Sequence, residues 1–350
     1  MMKRLFIIIA AIPILFSCSD QNISHTLKDV ESYIMERPDS ALTVLESIER
    51  SDLRTPRNKA HHALLHAMAL DKNYIDVADD SIAQVAVDYY SRRGPEKSKA
   101  RAYYYLGLAY YYQQNYDKAI LEFTKAEEVA ETCDSLYWGM TKSIQANIYH
   151  TTYNSVETLE CLLKAFDIYN SLSDILKLQS VKSKLSDLYI SQSEFTKADK
   201  LLSNLLNDNN LDEDIKISAL SSAAFLKIVQ PNREPEVAVD IYDSIINYEN
   251  AMQDKDYWAY AFALNLVGRK IESNEIIDEL IKVDTSSTAS YWLYLINKYE
   301  GNYAKALSYL EETGFKDNKI ITDVLNQSLS LTQRDYYESQ SELAEYKIKN

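Results

Sequence analysis

The sequence predicts an all-α solenoid of about seven helical hairpins followed by a C-terminal helix. Three observations predict it. First, apolar residues recur at helical spacing in short paired runs, clearest over Ala100 to Asp134. Second, the small or polar residues expected where helices cross, Ala67, Gly107, Ala146 and Ser186, fall 40, 39 and 40 residues apart. Third, only six glycines and six prolines occur in 350 residues, too few for the tight turns of a β-rich chain.

Within the central run, Tyr103, Leu106, Gly107 and Tyr110 share one face of a helix, and Ala119, Phe123 and Ala126 share one face of the next. The turn between them falls at Gln113-Gln114-Asn115. Gly107 and Ala119 are small where two helices cross closely, and the neighbouring aromatics fill the space beside them. This order of residue types resembles the tetratricopeptide repeat, of period about 34. One departure is Glu131, where that family often has a proline. The resemblance implies a right-handed superhelix over residues 25–314, strongest in the middle and weak around Ala251 to Ser286.

Before the central run, Leu27, Val30 and Ile34 mark a first helix, broken at Arg37-Pro38. Asp39 or Ser40 is expected to cap a second helix carrying Ala41, Leu45 and Ile48. The run ERPDSALTVLESIE resembles the opening repeat of membrane-anchored tetratricopeptide regulators. Next come helices over Arg57 to Leu70 and Ser81 to Arg92, the latter stopped by Gly94-Pro95. Beyond the centre, Tyr149, Leu162 and Ala165 continue the pattern, as do Leu185, Tyr189, Ala198 and Leu202. Hairpins over Ile215 to Asn247 and Tyr257 to Lys282 follow, the second degenerate and turning at Gly268. The last hairpin turns at Glu300-Gly301-Asn302 and is expected to close at Gly314. Residues 315–350 are read as a capping helix with Ile320, Ile321, Val324 and Leu325 on one side, fading into a polar tail.

The chain opens MMKRLFIIIAAIPILFSC. Lys3 and Arg4 precede an apolar stretch from Leu5 to Phe16, too short for a bilayer core that needs about 20 residues. Residues 1–17 therefore read as an export signal. Leu15-Phe16-Ser17-Cys18 resembles the bacterial lipobox, which implies a lipidated Cys18 and a polar tether over 18–24. Ser19, where the better-known lipoproteins retained at the inner membrane carry Asp, favours outer-membrane delivery. The formal charge of −15 makes a surface that repels phosphate backbones and anionic head groups, so no nucleic-acid partner is expected. Cys133 and Cys161 read as free thiols, although an exported chain permits a disulfide.

No chemistry-bearing constellation stands out. The glycines are isolated, so no phosphate loop forms. His62 and His66 have the helical spacing of a zinc pair, but HALLH lacks the adjacent glutamate of a zinc protease and no third ligand is evident. We expect no catalytic residues, no metal and no cofactor. In tetratricopeptide proteins the first helix of each repeat lines a concave groove. That resemblance places Arg101, Tyr104, Leu108, Tyr111, Asn147, His150 and Asp187 in the groove, with Met140, Ser143, Ser180 and Ser183 beside them. Tyrosines there offer contact area at low entropic cost. The expected function is a non-enzymatic scaffold for a protein or peptide at a bacterial envelope membrane. Two alternatives are the truncated sensor half of a membrane-anchored regulator, and a glycan-binding outer-membrane lipoprotein.

Overall fold

The structure, a computed structural model, describes residues 21–326 apart from 77–78, 247, 249–251 and 253, with only the backbone of 254–255 and 315–326. The export signal, Cys18 and the tail beyond 326 lie outside the described residues. Among the described residues the fold is all-α, with sixteen helices and no strand. They are α1 (residues 21–33), α2 (Pro38–Glu46), α3 (Pro56–Lys72), α4 (Ser81–Tyr90), α5 (Glu96–Tyr112), α6 (Tyr116–Cys133), α7 (Ser135–Thr151) and α8 (Ser155–Leu172). Then follow α9 (Ile175–Ser191), α10 (Phe195–Leu206), α11 (Glu213–Val229), α12 (Pro235–Ile245), α13 (Asp254–Leu266), α14 (Lys270–Val283), α15 (Ser287–Tyr299) and α16 (Tyr303–Asn326).

These are eight pairs, not seven and a separate helix. The expected stop at Gly314 does not occur, and α16 runs through it. A glycine costs a helix interior about 1 kcal/mol, which is too little to end a helix with good formers on both sides. Residues 21–24, read from sequence as tether, are helical. At the second helix Pro38 takes the first helical position, where its missing N–H costs nothing. The N-cap is Arg37, without a side-chain bond, so neither Asp39 nor Ser40 caps the helix. Elsewhere the caps are ordinary: Asn115, Asn154 and Asp174 each accept from the backbone N–H three residues on.

The turn within each pair is built the same way in six of them. Tyr74, Gln114, Tyr153, Ser193, Gly268 and Gly301 take left-handed φ angles between 57° and 85°. The next residue's N–H returns to a carbonyl five positions back: Asn115 to Tyr110, Asn154 to Tyr149, Glu194 to Tyr189. This is the Schellman ending of a helix, which satisfies carbonyls that would otherwise be stranded. Four of the six positions are held by residues with a Cβ, which strains a left-handed backbone by about 1 kcal/mol. Gln114→Gly is therefore expected to raise stability by roughly 0.5 kcal/mol, relief of strain exceeding the entropy that glycine loses. Chemical denaturation of the two chains measures it.

Packing divides the chain into two compact units that meet in sequence between Ile148 and Tyr149. In the first, α5 packs against α3, α4 and α6. In the second, α9 contacts α11, α11 contacts α13, and α13 contacts α15, so the odd-numbered helices lie side by side. Here α10 and α12 each pack against the odd helices before and after them, and α14 packs against α13. The second unit buries two apolar clusters, one between α9, α10 and α11 and a larger one from α11 to α15. Both free thiols are structural: Cys161 is buried, and Cys133 is half-buried with its S–H donating to the Val129 carbonyl at 3.2 Å.

Candidate functional site

The residues expected from sequence to face a ligand lie on odd-numbered helices, Arg101, Tyr104, Leu108, Tyr111 and Asn147 in the first unit and His150 and Asp187 in the second. The structure keeps only part of that set accessible. Tyr104 is 3 % exposed and packs its ring against those of Tyr105, Phe123 and Tyr137, with centroids 5.1, 5.7 and 5.3 Å away. Leu108 is likewise buried. Both belong to the core, because α5 has neighbours on most of its circumference and buries every residue from Tyr104 to Ala109. The unbroken apolar run in the sequence was the available signal of a helix covered nearly all round.

Arg101 stays half-buried but is engaged. Its guanidinium donates to Asp134 Oδ2 from Nε and Nη2, at 3.0 and 2.9 Å, and stacks over the Tyr137 ring at 4.9 Å. On its other side Glu31 stands 3.9 Å away and bonds His61 Nε2 at 3.0 Å. Below this chain of charges, the Tyr105 and Tyr137 hydroxyls bond each other at 2.9 Å. Complete burial pushes the Tyr105 phenol well above its ordinary range. Tyr111 is half-buried between Tyr112 and Tyr116, and Asn147 is half-buried on α7.

In the second unit His150 is exposed and Asp187 is half-buried. Asp187 accepts a 2.5 Å hydrogen bond from Ser222 Oγ on α11. It belongs to a row of polar bonds between neighbouring odd helices. Ser183 meets Ser218 at 3.4 Å, Ser221 donates to Asp256 at 2.5 Å, and Asn265 donates to Glu300 at 3.1 Å. Each of these bonds joins residues 35 positions apart. Ser218, Ser221, Ser222, Asp256 and Glu300 were missed from sequence. A pair of serines inside the apolar run of α11 was the visible hint. Ser183, Ser221, Ser222, Asp256 and Asn265 are buried, so the row ties neighbouring helices together. Asp187 stays half-buried and Ser218 exposed, and both offer acceptors to the N–H groups of an extended chain.

The three clustered histidines have separate occupations. His61 bonds Glu31, whereas His62 Nε2 bonds the Leu45 carbonyl at 2.9 Å, as an N–H donor. Among the described residues no group of three candidate ligands could hold a metal ion. Burial holds both His62 and His66 below the ordinary imidazole range. A histidine with a depressed folded pKa binds fewer protons folded than unfolded. Its contribution is therefore complete above the unfolded value, near 6.5, and is lost as pH falls below it. Acidification from about pH 7.5 to about pH 5.5 is expected to lower the melting temperature. The double variant His62→Gln with His66→Gln should flatten that dependence in parallel melts.

Comparison with known proteins agrees with this architecture. Residues 100–133 match the tetratricopeptide repeat. A search of curated protein sequences finds no match. Among solved structures, the chain is similar to NprR in complex with its cognate peptide NprX (14 % identity, 93 % of this chain and 98 % of that one, TM-score 0.61). It is similar also to a Rap protein complexed with Competence and Sporulation Factor (14 %, 93 % and 99 %, TM-score 0.56). A third is a tetratricopeptide repeat protein from Parabacteroides merdae (13 %, 77 % and 98 %, TM-score 0.53). At these identities the likeness concerns the fold. The chain carries a tetratricopeptide repeat at residues 100–133, set in an all-α repeat fold.

Proposed function

We propose that this protein is a non-enzymatic scaffold that holds a peptide or protein segment along the odd-numbered helices of its second unit, tethered to a bacterial envelope membrane by a lipidated Cys18. The polar row of the second unit carries the reading. Its buried members Ser183 and Ser222 tie α9 to α11 and hold half-buried Asp187 and exposed Ser218 on adjacent rigid helices, the placement that recognition of an extended chain requires. The fold is also similar to that of NprR, solved in complex with its cognate peptide NprX, and of a Rap protein, solved with Competence and Sporulation Factor. The lipobox-like run before Cys18 supports the anchor.

A photo-crosslinking residue tests the ligand face. At Ser180, half-buried on α9, it is expected to give a discrete, protease-sensitive adduct in intact cells. At Lys200, exposed on α10, it should give none. Equal adducts at both positions, or none at Ser180, refute the assignment. The anchor has its own test. Cys18→Ala should release the protein from membranes without detergent, and sedimentation after a salt wash would sink the lipidation reading.

A further inference from the structure

The acidic total conceals a basic face on the first unit. Two recesses share the ring of Tyr89 as a common wall. One, of about 470 Å³, is lined by Lys28 and Arg57, and the other, of about 330 Å³, by Lys59, Arg92 and Arg93. None of these five cations lies within ion-pair distance of a carboxylate among the described residues, and all five are exposed. The carboxylates on the same walls are already taken. Glu31 bonds His61 at 3.0 Å, and Asp88 accepts from Gln84 at 2.7 Å.

Local helix physics does not explain the placement. Arg57 and Lys59 stand in the opening turn of α3, which contains no acidic residue, and there the helix dipole disfavours positive charge. Arg92 and Arg93 follow the end of α4, where the dipole is favourable, but they repel the other three. In a chain of net charge −15, carboxylates to pair them were plentiful. Clustered, unpaired and solvent-facing cations beside a half-buried tyrosine match the chemistry of a phospholipid interface.

We propose that this face rests on anionic phospholipid head groups of the membrane that holds the chain. The inference builds on the anchoring reading, for Ser24 of the larger recess stands six positions after Cys18. A lipid at Cys18 would therefore bring this end of the protein to the bilayer. The acidic remainder, repelled by the same surface, would stand away from it.

The test uses the mature chain from residue 18 with Cys18→Ser, so that no lipid contributes and the result is independent of the anchor. Flotation with vesicles containing about one third phosphatidylglycerol in phosphatidylcholine should recover the protein at low salt and release it at about 0.5 M. Pure phosphatidylcholine should not recover it. Arg57→Glu, Arg92→Glu and Arg93→Glu together should weaken binding by about a hundredfold or more. The control Lys197→Glu with Lys200→Glu, on α10, should not. A milder Arg92→Gln with Arg93→Gln serves if the triple variant melts early. Failure to float with anionic vesicles, equal binding to neutral ones, or indifference to charge reversal overturns the proposal. Capture of polyglutamate without vesicle binding does so as well, and would reassign the face to an acidic peptide.

Discussion

Trp258→Ala is expected to destabilise the second unit by about 4 kcal/mol, the largest effect of any single truncation considered. Trp258 is fully buried, and every residue from it to Leu264 on α13 is buried too. The surrounding cluster includes Tyr242, Phe262 and Trp292. Removing the indole opens a cavity that the rigid neighbouring helices cannot close, and the lost contacts add to the lost transfer energy. The indole N–H also donates to Asp284 Oδ2 at 2.8 Å. Trp258→Phe separates the two terms, since most of the volume stays while the donor goes, and should cost about 1–2 kcal/mol. Hydrogen exchange on α13 and denaturant melts read both. The control Val283→Ala, at a side chain 75 % exposed, should stay within about 0.5 kcal/mol of the parent. An unchanged melt for Trp258→Ala would contradict the packing described.

Gly107→Val is expected to cost the first unit about 2–3 kcal/mol. A Cβ at Gly107 would lie 2.9 Å from both Cδ1 and Cε1 of Phe123, a ring that is itself fully buried. That ring is also flanked by Tyr104, so it has nowhere to retreat. Glycine normally weakens a helix interior by about 1 kcal/mol relative to alanine. The sign of the prediction therefore rests on steric contact outweighing propensity. Shrinking the obstacle tests that account. Phe123→Leu should rescue part of the loss, giving a favourable coupling in a double-mutant cycle. Additive losses would show that the Gly107–Phe123 contact is not the cause.

Much of this was legible because repeats write local rules many times over. The turn at Gln113-Gln114-Asn115 was placed from sequence, and the same left-handed turn recurs at Tyr74, Tyr153 and Ser193, 39 or 40 residues apart. Gly107 was assigned to a close crossing from its size alone, and the Phe123 ring lies against it. The weakest stretch in sequence contains a heavily packed helix. α13 reads WAYAFALNL and is covered on all sides, so no amphipathic stripe distinguishes it. Periodicity detects a helix with one wet face. It cannot rank a helix with none.

The candidate site divides along the same line. Sequence by itself determined the helical repeat and its length, the place of most turns, the acidic total and the lipobox-like start, because these depend on neighbours within a few turns of chain. Only the tertiary structure decided which residues meet water. It buried Tyr104 and Leu108, engaged Arg101 with Asp134, and aligned Asp187 with Ser222 on the next odd helix. It also gathered Lys28, Arg57, Lys59, Arg92 and Arg93 from separate elements around Tyr89. The physical reason is range. Helix formation is governed by residues three and four apart, whereas exposure and charge clustering are set by which helices pack together, across dozens of residues of sequence.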